Sequence, residues 1–128
     1  MECCIMPGAF CDIKLVGGES QDYEFHMYDA VTKLPFDLTG ATCNFAVMNY
    51  TSRTSTPTIS KAMTLDYGED PTVLNVAKAH LDPEDTLELK GKFIYQVTIE
   101  DAGGAIEIPG QGWMYIADNI NKGFIDDD

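Results

Sequence analysis

Apolar and polar residues alternate along most of this chain, and a period of two commits a polypeptide to strands with one buried and one exposed face. Phe93, Tyr95, Val97 and Ile99 fall on one phase and Ile94, Gln96, Thr98 and Glu100 on the other, which predicts the best-defined strand. The same pattern sets Cys11, Ile13 and Leu15 against Asp12 and Lys14, and Tyr23, Phe25 and Met27 against Glu24, His26 and Tyr28. Cys43, Phe45 and Val47 mark another strand. Ile59, Lys61 and Met63 share a phase in a weakly patterned segment suited to a sheet edge. Val73 to Leu81 predicts a further strand, with Leu74, Val76 and Lys78 opposite Asn75, Ala77 and Ala79. Ile106 and Ile108 read as the return strand of a hairpin, and Trp113 to Ile116 as a last short strand beyond Pro109, Gly110 and Gly112.

Turn chemistry separates these runs. Gly17-Gly18 ends the first strand, 29–40 is a polar connection containing a proline, and 48–57 is a Thr- and Ser-rich loop. Asp66 to Pro71 is a turn, and Asp101-Ala102-Gly103-Gly104 closes a hairpin, where glycine supplies positive φ. One helical turn is predicted near 82–90: Asp82 can cap, Pro83 suits the first helical position, Asp85 follows three residues after the cap, Leu87 and Leu89 pack it down, and Gly91 ends it. About seven to eight short strands at even spacing predict an all-β sandwich or barrel. With too few helices for βαβ crossovers, the sheets are expected to be antiparallel. No second composition zone breaks the chain, so 1–128 reads as one domain with its core over about 10–120 and frayed ends at 1–8 and 121–128.

Charge narrows the function classes. The 128 residues carry 21 Asp plus Glu against 8 Lys plus Arg, a formal net charge of −13 that repels nucleic acid and anionic membrane at long range. The first residues show no basic and apolar pattern of a secretory signal, and no apolar run reaches the roughly 18–20 residues of a membrane helix. The expected location is therefore the cytoplasm, or a larger particle assembled there. The cysteines, Cys3, Cys4, Cys11 and Cys43, lack the spacings of a zinc site, and Cys11 and Cys43 read as small buried hydrophobes.

Catalytic constellations are not legible. Ser20, Ser52, Ser55 and Ser60 lie outside any nucleophile elbow, and His26 and His80 each alternate within a strand. Glu84, Asp85 and Glu88 belong to a helix start, where negative charge complements the dipole. Asp66, Glu69 and Asp70 are the weak candidates for a loop calcium site, against the simpler reading of a solvated turn. Tyr23, Phe25, Phe45, Phe93, Tyr95 and Trp113 read mostly as core, while Tyr28, Tyr50, Tyr67 and Tyr115 are expected to be exposed without clustering in sequence. No enzyme activity, cofactor or metal is expected. A β-sandwich module binding a host-surface glycan or other small ligand is the alternative, and would need an exposed aromatic platform.

Several short motifs recur in a recognisable order. Asp37-Leu38-Thr39-Gly40 leads into Phe45, Asp85-Thr86 precedes Gly91, Phe93, Tyr95 and Val97, and Gly110-Gln111-Gly112 precedes Trp113. In this order the chain resembles the N-terminal domain of the baseplate upper protein of tailed bacteriophages and related small phage tail proteins, over about residues 10–120. Phe93 stands where that family often has Tyr, and Trp113 where an aliphatic residue is common. The resemblance implies an immunoglobulin-like sandwich and a structural, non-enzymatic role in a phage or prophage tail. The implied partners are other tail or baseplate proteins and further copies of the chain, with no nucleic acid and no membrane.

Overall fold

A computed structural model describes residues 2–4, 12–29, 31–51 and 57–125. Two sheets pack face to face. One has the order β1-β3-β7-β6, from β1 (Glu2–Cys4), β3 (Gln21–His26), β7 (Val76–Leu81) and β6 (Thr64–Asp66). The other has the order β2-β9-β8-β4-β5, from β2 (Ile13–Val16), β9 (Ile106–Ala117), β8 (Gly91–Glu100), β4 (Thr42–Asn49) and β5 (Ile59–Ala62). This is the strand order of an immunoglobulin-type sandwich. Alternation places Tyr23 and Phe25 of β3, Phe45 and Val47 of β4, and Tyr95 and Val97 of β8 between the sheets, all fully buried. Four of these rings interlock, with centroids 5.6 Å apart for Phe45–Tyr95, 5.8 Å for Phe25–Phe45 and Phe25–Tyr95, and 6.2 Å for Tyr23–Phe45. Such offset and tilted pairs add to the burial of their area.

Several expectations change. The sheets are not wholly antiparallel: β1 runs parallel to β3, and β2 parallel to β9. In a two-sheet fold the chain crosses to the other sheet between such strands, so no helix is needed to return it. Among the described residues nine strands form rather than about seven to eight: residues 2–4, expected to fray, pair as β1, Thr64–Asp66 forms its own strand, and 106–117 join into one. Residues 122–125, also expected to fray, form the helical turn α2 (Lys122–Ile125). β7 begins at Val76, not Val73.

The largest change concerns 106–117, which is one strand of 12 residues rather than two short ones. Its ladder to β8 skips from Val97↔Gly110 to Ile99↔Glu107, so Ile108 and Pro109 together oppose Thr98. That is a β-bulge, a place where a proline's missing N–H costs no ladder bond. The bulge also shifts the parity: Ile106 lies opposite Glu100 on the outer side, and Ile106 and Ile108 are 57% and 53% exposed rather than core. Cys11 and the ends 5–8 and 126–128 lie outside the described residues.

Candidate docking surfaces

The motif residues are scaffold. Asp37 accepts hydrogen bonds from the Thr39 backbone at 3.1 Å and hydroxyl at 2.7 Å. These contacts hold the Asp37 carboxyl below its usual range, the Thr39 hydroxyl contributing most. Leu38 is buried, and Gly40 turns the chain into β4 at φ +80°, a left-handed value that favours glycine. Asp85 sits in α1 (Pro83–Thr86), accepts the Asp82 N–H at 2.7 Å, and binds Lys61 Nζ at 2.9 Å. Lys61 points inward from edge strand β5, a device that discourages further strand addition. Thr86 is fully buried and its hydroxyl accepts the Gly18 N–H at 2.9 Å. A side chain on the adjacent Gly17 would lie 2.6 Å from the Thr86 carbonyl oxygen, so helix and strand can meet only over glycine.

Gly112 answers the same kind of constraint. It lies directly opposite Tyr95, and a Cβ there would stand 2.6 Å from the tyrosine ring. The missing side chain makes the space Tyr95 fills. Burial raises the Tyr95 phenol pKa, with nearby Asp12 a smaller cause, and pushes that of Tyr23 up to about 12. Gly91 starts β8 at φ +111°, Phe93 and Val97 are buried on the same inward phase of that strand, and Cys43 is buried, its thiol pushed up to about 11 by desolvation.

The candidate chemical groups do not converge. Asp66 is bound by Lys78 Nζ at 2.8 Å and the Tyr67 N–H at 2.7 Å, and Lys78 holds the Asp66 carboxyl low. Asp70 accepts the Thr72 hydroxyl at 2.6 Å and the Thr72 N–H at 2.9 Å, and Glu69 is exposed. Among the described residues no three His, Cys, Asp or Glu side chains form a ligand set. His80 lies between two carboxylates, Nδ1 2.6 Å from Asp22 and Nε2 2.9 Å from Asp82, with no nucleophile in the cluster. The Asp22 hydrogen bond raises the His80 pKa most, and Asp82 adds to it. Ser60 is engaged by Asn44, while Ser52 and Ser55 lie outside the described residues.

Surface features are more distinctive. Near the hairpin, exposed Val31 borders an apolar mouth lined by Met27, Tyr28, Phe36, Ile99 and Pro109, with Asp29 and Glu107 at its rim, and Leu34, Ile106 and Ile108 are exposed as well. On the outer face of the five-stranded sheet, Trp113, expected in the core, points outward because Gly112 and Met114 hold the inward phase. Trp113 meets Tyr50 edge-on at 5.0 Å, and Lys92 Nζ lies 4.0 Å from the Trp113 centroid, 4.8 Å from Tyr50 and 6.0 Å from Tyr115. Three aromatics, Tyr50 and the pair Trp113 and Tyr115, thus share one cation. Counting parity back from Met114 and Ile116 is the sequence signal that would have found Trp113.

No family model and no curated protein matches the sequence. Similar solved structures include the N-terminal domain of ORF48 from phage TP901-1, with a TM-score of 0.59 and 10% identity, covering 91% of this chain and 96% of that one. ORF48 is that phage's baseplate upper protein. The two domains share a fold. At this identity the likeness extends to architecture alone. No described helix is long and apolar enough to cross a membrane.

Proposed function

We propose that this chain is a non-enzymatic structural component of a phage or prophage tail, docked in the baseplate against other tail proteins. The fold shared with a baseplate protein domain over nearly its whole length carries the reading. The surface supports it: Val31 borders an apolar mouth, and Leu34, Ile106 and Ile108 are further exposed large aliphatic side chains, a feature of contact sites. The motif residues that suggested the relationship have structural work to do in turns and core, which is where a shared architecture leaves its mark. The virion tail is the proposed location.

The test is genetic and structural together. Deleting the coding sequence from the phage or prophage should yield particles with an incomplete baseplate by electron microscopy, and the chain should occur in wild-type particles in fixed proportion to other tail proteins. Intact infectious particles without the chain would refute the reading.

The Tyr50, Trp113 and Tyr115 cluster favours glycan binding as a second reading, since sugars stack on exposed rings. Against it, the Lys92 ammonium already covers the Trp113 ring. Glycan-array binding that is lost on Trp113→Ala would establish that reading, and its absence in the wild type would remove it.

A further inference from the structure

We infer that the outer face of the five-stranded sheet binds a second copy of this chain, against the acidic outer face of that copy's four-stranded sheet. The inference rests on the structural-component reading and names a partner for it. Across three neighbouring strands the ladder aligns Lys14, Tyr115 and Lys92, because both lysines lie opposite Tyr115. Among the described residues neither lysine makes an ion pair with a carboxylate, whereas Lys61, Lys78 and Lys122 all do. In a chain of net charge −13, two unpaired cations on one face are a local inversion of the whole-molecule field. The side chains between and around them are Trp113, Tyr50, Ile94 and Gln96, and carboxylates appear only toward the margins, at Asp12 before β2 and Glu100 at the end of β8. Aromatic enrichment with charge depleted at the centre is the composition of an interface core.

The complementary surface is on the opposite side of the same molecule. Asp22, Glu24, Asp66 and Asp82 lie there, beside Lys78, His26 and His80, with Lys61 3.9 Å from Asp82. Asp22 and Asp66 are half or more exposed at 76% and 50%. A front-to-back contact sets Lys14 and Lys92 of one copy against these carboxylates of the next. Such a contact is heterologous, so it propagates into a ring or a filament rather than closing as a two-fold dimer.

Sedimentation velocity on the full chain, from micromolar to near-millimolar, is the first measurement. Concentration-dependent association is expected, weakened when salt shortens the Debye length from about 10 Å at 0.1 M to about 3 Å at 1 M. Exposed ion pairs of this number account for at most roughly a thirtyfold change in the association constant. Two variants then separate the faces: Lys14→Ser/Lys92→Ser removes the front and Asp22→Lys inverts the back. Each alone should sediment as a monomer, and a mixture of the two should form a one-to-one dimer and nothing larger, since one native contact remains. A monomeric wild type overturns the inference, as does a mixture no different from its components. Circular dichroism of both variants confirms folding. The two readings fail separately: a chain that is monomeric in solution but present in tail particles sinks the self-contact alone, and absence from intact particles sinks the structural role.

Discussion

The inner and outer rows of the five-stranded sheet are built from alternating residues of the same strands, yet they differ in what they hold. Inward, Phe45, Tyr95, Val97 and Met114 are fully buried and packed against the other sheet. Outward, Lys92, Trp113 and Tyr115 remain partly exposed and engage one another. One residue of phase separates a side chain that fixes the fold from one available to a partner. Changes to the inner row should therefore cost stability, and changes to the outer row should cost association and little else.

The most severe way to probe that division is Phe45→Ala, which empties the centre of the four-ring cluster. A loss of about 3–5 kcal/mol in denaturant unfolding is expected. Gly112→Ala tests the same row from the other direction. It adds one methyl group where Tyr95 already sits, so about 1–3 kcal/mol should be lost, or more if Tyr95 cannot shift. If Gly112→Ala proved neutral, the close approach at Tyr95 would not be what requires glycine there. Thr86→Val keeps the volume but leaves the buried Gly18 N–H without its acceptor, for an expected cost of about 1–3 kcal/mol.

At the outer row the expected stability effects shrink. Trp113→Ala should change the unfolding free energy by about 1 kcal/mol, the size of an exposed cation–π contact with its ring packing. A loss as large as that of Phe45→Ala would erase the distinction between rows.

The smallest expected effect is a pH dependence on the other sheet. His80 has a raised pKa in the folded state because Asp22 and Asp82 favour the imidazolium. Its stabilisation is complete below the ordinary histidine value of about 6.5 and is lost as pH rises through the raised folded value. Asp29, Asp37, Asp66 and Asp70 behave oppositely: their lowered pKa values give stability above the ordinary carboxylate range that is lost as pH falls through the folded values. Unfolding midpoints across pH should show both limbs, and Asp22→Asn should flatten only the histidine one.

Much of the inner row was legible in the sequence, because burial leaves a period of two: Tyr23, Phe25, Phe45, Val47, Tyr95 and Val97 all face inward as expected. The turn at Asp37 to Gly40 and the helical turn after Asp82 were legible through local chemistry. Parity was lost at Ile108 and Pro109, because a bulge adds a residue that no local pattern announces, and with it went the exposure of Ile106, whereas the outward direction of Trp113 was legible from the phase of Met114 and Ile116. Parallel pairing of β2 with β9 joins the two ends of the chain, and nothing in the alternation of either strand encodes which neighbour it finds. The outer cluster was illegible for a related reason: Tyr50, Lys92 and Trp113 meet only through the ladders of three strands.

The division between rows is tested most directly by measuring unfolding and sedimentation on one protein, Lys14→Ser/Lys92→Ser, beside the wild type. At a concentration where both are monomeric, the unfolding free energies should differ by no more than about 1 kcal/mol, the size of the Lys92 contact with the Trp113 ring, while at higher concentration only the wild type should associate. Equal association of the two proteins, or a midpoint lowered as far as that of Phe45→Ala, would contradict the account.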